Sequence, residues 1–301
     1  MLDVALVGTG GMMPLPNRYL SSGLVRFNGR MILIDAGEGT QVSLKMLGWG
    51  FKNIDIICFT HFHADHIMGL TGLLLTIGNS DREEPLTIIG PKYLEEIVEG
   101  LLKVAQEIPF EIKYIEFDHE DNKEINFDEF TIEAQKVKHT SECYAYNIKT
   151  KRMPKFNPEK AIEMNIPRNL WSKVQSGETI IVDGVEIKPE EIVGEKRDGF
   201  KVSYSTDTRP TKKLEEFVKG SDVFICEGMY FDEDKVKKAK ESKHMMISEA
   251  LEIAKEANVG ELWLTHFSPS LVNPMEYKNE IRKVFKNTII GKDRFNKTLT
   301  Y

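Results

Sequence analysis

Six residues limit what this chain can be more than any other feature. His61-Phe62-His63-Ala64-Asp65-His66 brings three imidazoles and a carboxylate together directly after residues 54–59, a nearly all-apolar run of strand length. Such a run reads as a strand buried on both faces. Loops at the ends of buried strands are held by a rigid sheet, which is where α/β proteins build sites. His61 and His63, two apart, can point the same way and hold one metal ion. Asp65 and His66 sit on the turn beyond and can reach a second ion beside it. A lone histidine is more often structural, but three with an aspartate at this spacing are hard to explain as packing. Imidazole plus carboxylate without thiolate suits Zn2+ in an open, catalytic site, and Mn2+ or Fe2+ can occupy the same kind of donor set.

Four ligands are too few for two ions, so further donors must come from other polar residues at strand ends. His139 follows a strand-like stretch at 131–137, Asp207 follows one at 202–205, and His266 follows one at 261–265. A carboxylate has two oxygens, so Asp207 can bridge both ions.

The rest of the chain alternates strand and helix patterns. Strands are expected at 4–7, 30–34, 54–59, 86–89, 110–117, 130–137, 202–205, 223–226 and 261–265. Helices are expected at 38–47, closed by Gly48, at 91–108 with Pro91 in the first turn, and around Leu214, Ile253 and Ile281. That order predicts an α/β protein with sheets covered by helices in layers. The 301 residues are enough for one large domain with a real core. No apolar run approaches the roughly 20 residues that span a bilayer, and Met1-Leu2-Asp3-Val4 does not open a secretory signal. Three cysteines with no close pair fit a reducing, cytoplasmic location. The formal net charge of −7 disfavours indiscriminate nucleic-acid binding. Residues 149–173 run against it, with seven Lys or Arg and two acids among irregularly spaced prolines. A solvated loop explains that stretch, and so does an electropositive arm for a polyanion.

Beyond the 61–66 cluster, several stretches resemble the ribonuclease Z family of the metallo-β-lactamase fold, endonucleases that trim the 3′ end of precursor tRNA. They are Ser21-Ser22, Asp35-Ala36-Gly37-Glu38-Gly39-Thr40-Gln41, His139 with Cys143-Tyr144-Ala145-Tyr146, Asp207-Thr208-Arg209-Pro210, Glu227-Gly228, His244 with Glu249-Ala250, and Thr265-His266-Phe267-Ser268. The resemblance implies a four-layer αββα sandwich, a single domain over 1–301, with an inserted arm at 149–200 that grips the tRNA body. It also implies a homodimer and two Zn2+ per chain. One ion would take His61, His63, His139 and Asp207, and the other Asp65, His66, Asp207 and His266. The chain departs from the family pattern in three places. The arm reads Ile166-Pro167-Arg168-Asn169-Leu170-Trp171-Ser172-Lys173 without the usual Gly-Pro. Ser270-Leu271 replaces an Arg-Tyr pair, and Ser205-Thr206-Asp207-Thr208 replaces Ser-Gly-Asp-Thr.

The catalytic expectation is that Asp65 orients a water and accepts its proton. His244, kept basic by Glu227, would protonate the leaving ribose 3′ oxygen. Asp35 is the expected carboxylate partner for a metal-bound imidazole. A same-fold hydrolase of a small phosphodiester, such as a cyclic nucleotide, is the alternative, and a non-catalytic metal- or RNA-binding protein is a third reading. Gly8-Thr9-Gly10-Gly11 lacks the spacing of a phosphate loop and reads as a tight turn. Cys58, Cys143 and Cys226 read as buried thiols, and His119 as solvent-facing.

Overall fold

The structure is a computed structural model and describes residues 1–105 and 107–301. The chain forms two compact units. The first holds Met1–Ile125, Ile132–Ile148 and Lys201–Tyr301; the second holds Asn126–Thr131 and Lys149–Phe200.

Two seven-stranded sheets build the first unit. One runs in the order Asn296–Leu299, Leu2–Gly8, Ser22–Phe27, Arg30–Ile34, Ile54–Cys58, Leu86–Pro91, Ile112–Phe117. It is antiparallel up to Arg30–Ile34 and parallel from there on. The other runs Thr288–Ile290, Glu261–Thr265, Val223–Glu227, Lys201–Ser205, Glu142–Thr150, Phe130–Lys138, Asn122–Asn126, with parallel pairing among its first four strands. Where strands are parallel, the connections must cross back as helices, and these cover the outer faces. Thr40–Leu47, Leu70–Gly78 and Leu94–Leu102 close a core with the first sheet through Leu44, Leu70, Leu73, Leu74, Leu94 and Val98. Lys212–Val218, Ile247–Glu256 and Lys278–Val284 do the same for the second through Leu214, Val218, Ile247, Leu251 and Ile281. Between the sheets, the Tyr146 hydroxyl donates to the Phe59 carbonyl at 2.6 Å, and the Tyr144 amide to the Thr60 carbonyl at 3.0 Å. This is the four-layer αββα sandwich.

Several elements differ from the sequence expectation for identifiable reasons. The helix expected at 91–108 spans Leu94–Leu102, because Gly90 and Pro91 still belong to the strand and Tyr93 turns the chain in a left-handed conformation at φ 70°; Gln106 of the expected span lies outside the described residues. Ser22–Phe27, Glu142–Thr150 and Asn296–Leu299 are strands, and Leu70–Gly78 is a helix, that the periodicity did not single out. Leu70–Gly78 is apolar almost all round, so it carries no amphipathic stripe to detect.

The second unit has its own small core of Ala161, Ile166, Val174, Ile180, Ile187 and Ile192, packed with Phe156 and Trp171. Its helices are short, Pro158–Glu163 and Trp171–Gln175. Ile180–Val182 and Val185–Ile187 form a hairpin joined by Asp183 and Gly184, at φ 50° and 81°. Two positive φ values at the turn match a type I′ connection, which Asp-Gly favours. At the root, the Thr150 amide donates to the Phe200 carbonyl at 2.9 Å, and the Phe200 amide to the Thr150 hydroxyl at 2.8 Å.

Candidate metal centre

The donor-set residues, with Asp35 and Glu227, stand at or just past strand ends, whereas His244 follows the Val236–Ser242 helix. Asp35 follows Arg30–Ile34, the 61–66 cluster follows Ile54–Cys58, His139 follows Phe130–Lys138, Asp207 follows Lys201–Ser205, Glu227 ends Val223–Glu227, and His266 follows Glu261–Thr265. Asp35, Asp207 and His266 all adopt left-handed backbone, with φ of 60°, 53° and 55°. Each such residue costs about 1–3 kcal/mol and persists only where its surroundings hold it. Here the kink turns the chain off the sheet while keeping the side chain at its rim. Gly11 leaves room for this: a Cβ there would lie 2.6 Å from the His266 ring.

The side chains converge as two adjoining donor sets. His61, His63, His139 and Asp207 present donor atoms within 4.8 Å of one another, and so do Asp65, His66 and His266. Asp207 faces both. Its Oδ2 lies 3.7 Å from His61 Nε2 and 3.7 Å from His139 Nε2. Its Oδ1 lies 3.4 Å from His66 Nε2 and 3.1 Å from His266 Nε2. Asp65 Oδ2 is 3.6 Å from both His66 Nε2 and His266 Nε2, and it accepts the Met12 amide at 2.7 Å.

For His61, His66 and His139 the opposite ring nitrogen is held from outside. His66 Nδ1 donates to Asp35 Oδ2 at 2.8 Å. Asp35 also accepts the Thr60 amide and hydroxyl, and that hydroxyl lies 3.0 Å from His61 Nδ1. His139 Nδ1 points at the Lys243 carbonyl at 3.3 Å. These contacts assign the inward nitrogens as the ones free to bind a cation. The inward atoms of His61, His66 and His266 and Asp207 Oδ1 are buried without a hydrogen-bond partner. An unpaired buried polar atom costs about 1–3 kcal/mol, so four together need a ligand. Nitrogen and oxygen donors with no thiolate fit two divalent cations of the zinc type.

Electrostatics agree. Burial pushes His61 well below its ordinary value and His139 down to about 4, so both stay neutral and able to ligate. Burial opposes ionisation of Asp207, yet His266 and His66 outweigh it and hold the carboxyl well below the usual range. Asp65 is likewise held low, against its burial, by His266 and His66.

His244 lies beside both sets, 8% exposed, with ring centroids 5.3 Å from His139 and 5.5 Å from His266. Its Nδ1 donates to Glu227 Oε2 at 2.9 Å, and Glu227, fully buried, accepts the Thr208 amide at 2.5 Å. Burial disfavours the imidazolium, but the Glu227 carboxylate overrides it and lifts His244 to about 9. The three cysteines are buried and free, Cys143 at 3.7 Å from His61 Nδ1. His119 is half-exposed and pairs with Glu142 at 2.9 Å. The Met12 amide, the Thr60 hydroxyl and the pairing of Arg209 with Glu249 escaped sequence reasoning. The first two are contacts of loop backbone and a small hydroxyl that no spacing reveals; Arg209 and Glu249 both stood in quoted motifs, but their sequence separation hid the pair.

A family model described as anti-Pycsar protein Apyc1 matches residues 2–189, and one described as beta-lactamase superfamily domain matches residues 187–267. A ribonuclease Z of Clostridium kluyveri is 52% identical over 301 residues, covering 100% of this chain and 99% of that protein. Another, of Lachnospira eligens, is 50% identical over 293 residues, covering 97% and 96%. The crystal structure of human tRNase Z, short form, superposes with a TM-score of 0.71 at 21% identity, over 99% of this chain and 100% of that one, a likeness of fold. With half its residues shared with such relatives along their full length, the chain belongs to the ribonuclease Z family and carries the metallo-β-lactamase fold.

Proposed function

We propose that the chain is a binuclear, zinc-dependent endoribonuclease that removes the 3′ trailer from precursor tRNA and leaves a 3′-hydroxyl on the tRNA. One observation carries the chemistry: Asp207 turns one carboxylate oxygen to each of two adjoining donor sets, beside a hydrogen-bonded imidazole–carboxylate pair. Family membership supports the substrate class.

His61, His63, His139 and Asp207 would hold one ion, and Asp65, His66, Asp207 and His266 the other. Such a pair would supply a water acidic enough to ionise near neutral pH, and positive charge against the phosphate oxygens. The chain's own residues do the rest. Asp65, fixed by the Met12 amide, orients the water and accepts its proton; its lowered pKa suits orientation more than storage of that proton. As the water oxygen bonds to phosphorus, the bond from phosphorus to the ribose 3′ oxygen breaks and its electron pair stays on that oxygen. His244, with Nδ1 committed to Glu227, delivers the Nε2 proton there and returns to neutral imidazole. Glu227 stabilises the charged form before transfer.

The arm over 149–200 is the proposed grip on the tRNA body. Its first half, 149–173, carries the basic excess, whereas 174–200 carries three basic residues against seven acids. A homodimer is the expected assembly. No helix among the described residues is long and apolar enough to cross a membrane.

The test gives purified protein a precursor tRNA and a chromogenic phosphodiester, with and without chelator. The expected result is chelator-sensitive cleavage at the trailer junction. Turnover of the chromogenic ester with no tRNA cleavage at any salt concentration would overturn the assignment.

A further inference from the structure

Arginine beside a phosphodiesterase cleft is ordinarily read as a phosphate ligand. Arg209 cannot serve that way as placed, because both its terminal nitrogens are engaged inside the protein. Nη1 donates to Glu249 Oε2 at 2.9 Å and to the His244 carbonyl at 2.5 Å, and Nη2 completes a two-pronged pair with Glu249 Oε1. Glu249 Oε2 also accepts the Met246 amide at 2.9 Å. The pair therefore fastens the backbone on both sides of Met245, immediately after His244.

The preceding peptide is fastened too. Lys243 has left-handed backbone at φ 57°. Its carbonyl faces His139 Nδ1, and its ammonium donates to the His139 carbonyl at 2.7 Å. Arg209 itself is anchored through its amide to the Lys138 carbonyl at 3.0 Å, and the Lys138 amide returns to the Thr208 hydroxyl at 3.0 Å. One short segment thus touches three parts of the site. Asp207 faces both donor sets, the Thr208 amide holds Glu227, and Arg209 holds the His244 peptide.

We propose that Arg209, braced by Glu249, is a positioning residue that sets the reach and direction of the His244 imidazole for protonating the leaving oxygen. The inference rests on the reading of His244 as leaving-group acid. General acids act only when the proton lies within hydrogen-bond reach of its acceptor, so a shift of the 243–246 loop, which leads into the Ile247–Glu256 helix, weakens proton transfer while leaving the donor sets intact. A bidentate guanidinium–carboxylate pair holds that loop in a way a single ammonium does not.

The selective readout is leaving-group dependence. A ribose alkoxide needs a proton as it departs; p-nitrophenolate does not. Arg209→Met, Arg209→Lys, Glu249→Gln and His244→Ala would be compared with the parent on precursor tRNA and on bis(p-nitrophenyl) phosphate, with zinc content measured for each. For Arg209→Met the expectation is on the order of a 10- to 100-fold lower kcat on tRNA, with KM and aryl-ester turnover changed by less than about threefold, a share of what general acids supply. Zinc per chain should equal that of the parent. Arg209→Lys should recover part of the tRNA rate, and Glu249→Gln, which keeps most of the side-chain packing, should show the same selectivity should Arg209→Met fail to fold. Equal losses on both substrates, or a loss that follows zinc content, would make Arg209 merely structural and overturn the inference. So would an undiminished tRNA rate in both Arg209→Met and Glu249→Gln while His244→Ala is selective. If His244→Ala itself discriminates nothing between the substrates, the acid assignment falls and takes the clamp with it.

Discussion

The cleft of the first unit and the arm of the second distribute polarity in opposite ways. In the cleft, His61, His66, Asp207, Glu227 and His266 are all at most 2% exposed, so charge and hydrogen-bonding capacity sit inside the protein. In the arm the buried side chains are almost wholly aliphatic, among them Ile166, Val174, Ile187 and Ile192, and the charged groups lie outward. Buried polar atoms need a partner or a ligand, so the cleft is built around something absent from the amino-acid chain. The arm needs only to keep its shape, and with few core residues it has little stability to spare. Chemistry and substrate grip should therefore separate under mutation.

The largest expected effect lies at the point the two donor sets share. Asp207→Ala should abolish turnover of both tRNA and small esters, with zinc content falling below that of the parent by plasma emission spectrometry. Retention of the parent's zinc with loss of rate would move Asp207 out of the ligand set. His244→Ala should keep its zinc and lose roughly 10²–10⁴ in kcat on tRNA; an unchanged rate removes it from the chemistry. Replacing residues 152–198 with a short glycine linker, which the Thr150–Phe200 hydrogen bonds at the root can accommodate, should reduce tRNA cleavage by roughly 10²-fold or more and flatten its salt dependence. Small-ester hydrolysis should stay within a few-fold. Equal loss on both substrates would mean that the arm supports the fold rather than the substrate. Smaller still, Ile187→Ala removes a core side chain of the arm at about 2–5 kcal/mol. Hydrogen exchange should then rise in 149–200 while the strands around His61 stay protected; a uniform rise would show that the arm is not an independent unit. Gly184→Ala, at φ 81°, should cost the hairpin about 1 kcal/mol, read in the same exchange experiment.

The same contrast explains what the sequence could and could not convey. The strand ending before His61 is a continuous apolar run because it is buried on both faces, and polar residues right after such runs stood out: His139, Asp207 and His266 were found that way. Asp35 as partner to a histidine was likewise legible, from its place after an apolar run. The arm was opaque because helices of five or six residues complete fewer than two turns, too short for a 3.6-residue period to register. Its one local signal, the Asp183-Gly184 pair between Ile180–Val182 and Val185–Ile187, went unread until the hairpin was seen. Glu142–Thr150 was overlooked for the opposite reason: buried along most of its length, it mixes Cys, Tyr, Ala and Asn in no alternating pattern. The Arg209–Glu249 pair spans 40 positions, a separation that only the folded chain closes.

The account depends most on the Asp207 carboxylate lying between two cations. Crystals grown with excess zinc and measured on both sides of its absorption edge test this directly. The predicted result is two anomalous peaks per chain, one toward Asp207 Oδ2 among His61, His63 and His139, the other toward Oδ1 among Asp65, His66 and His266. A single peak, or two peaks with Asp207 bound to neither, would contradict it.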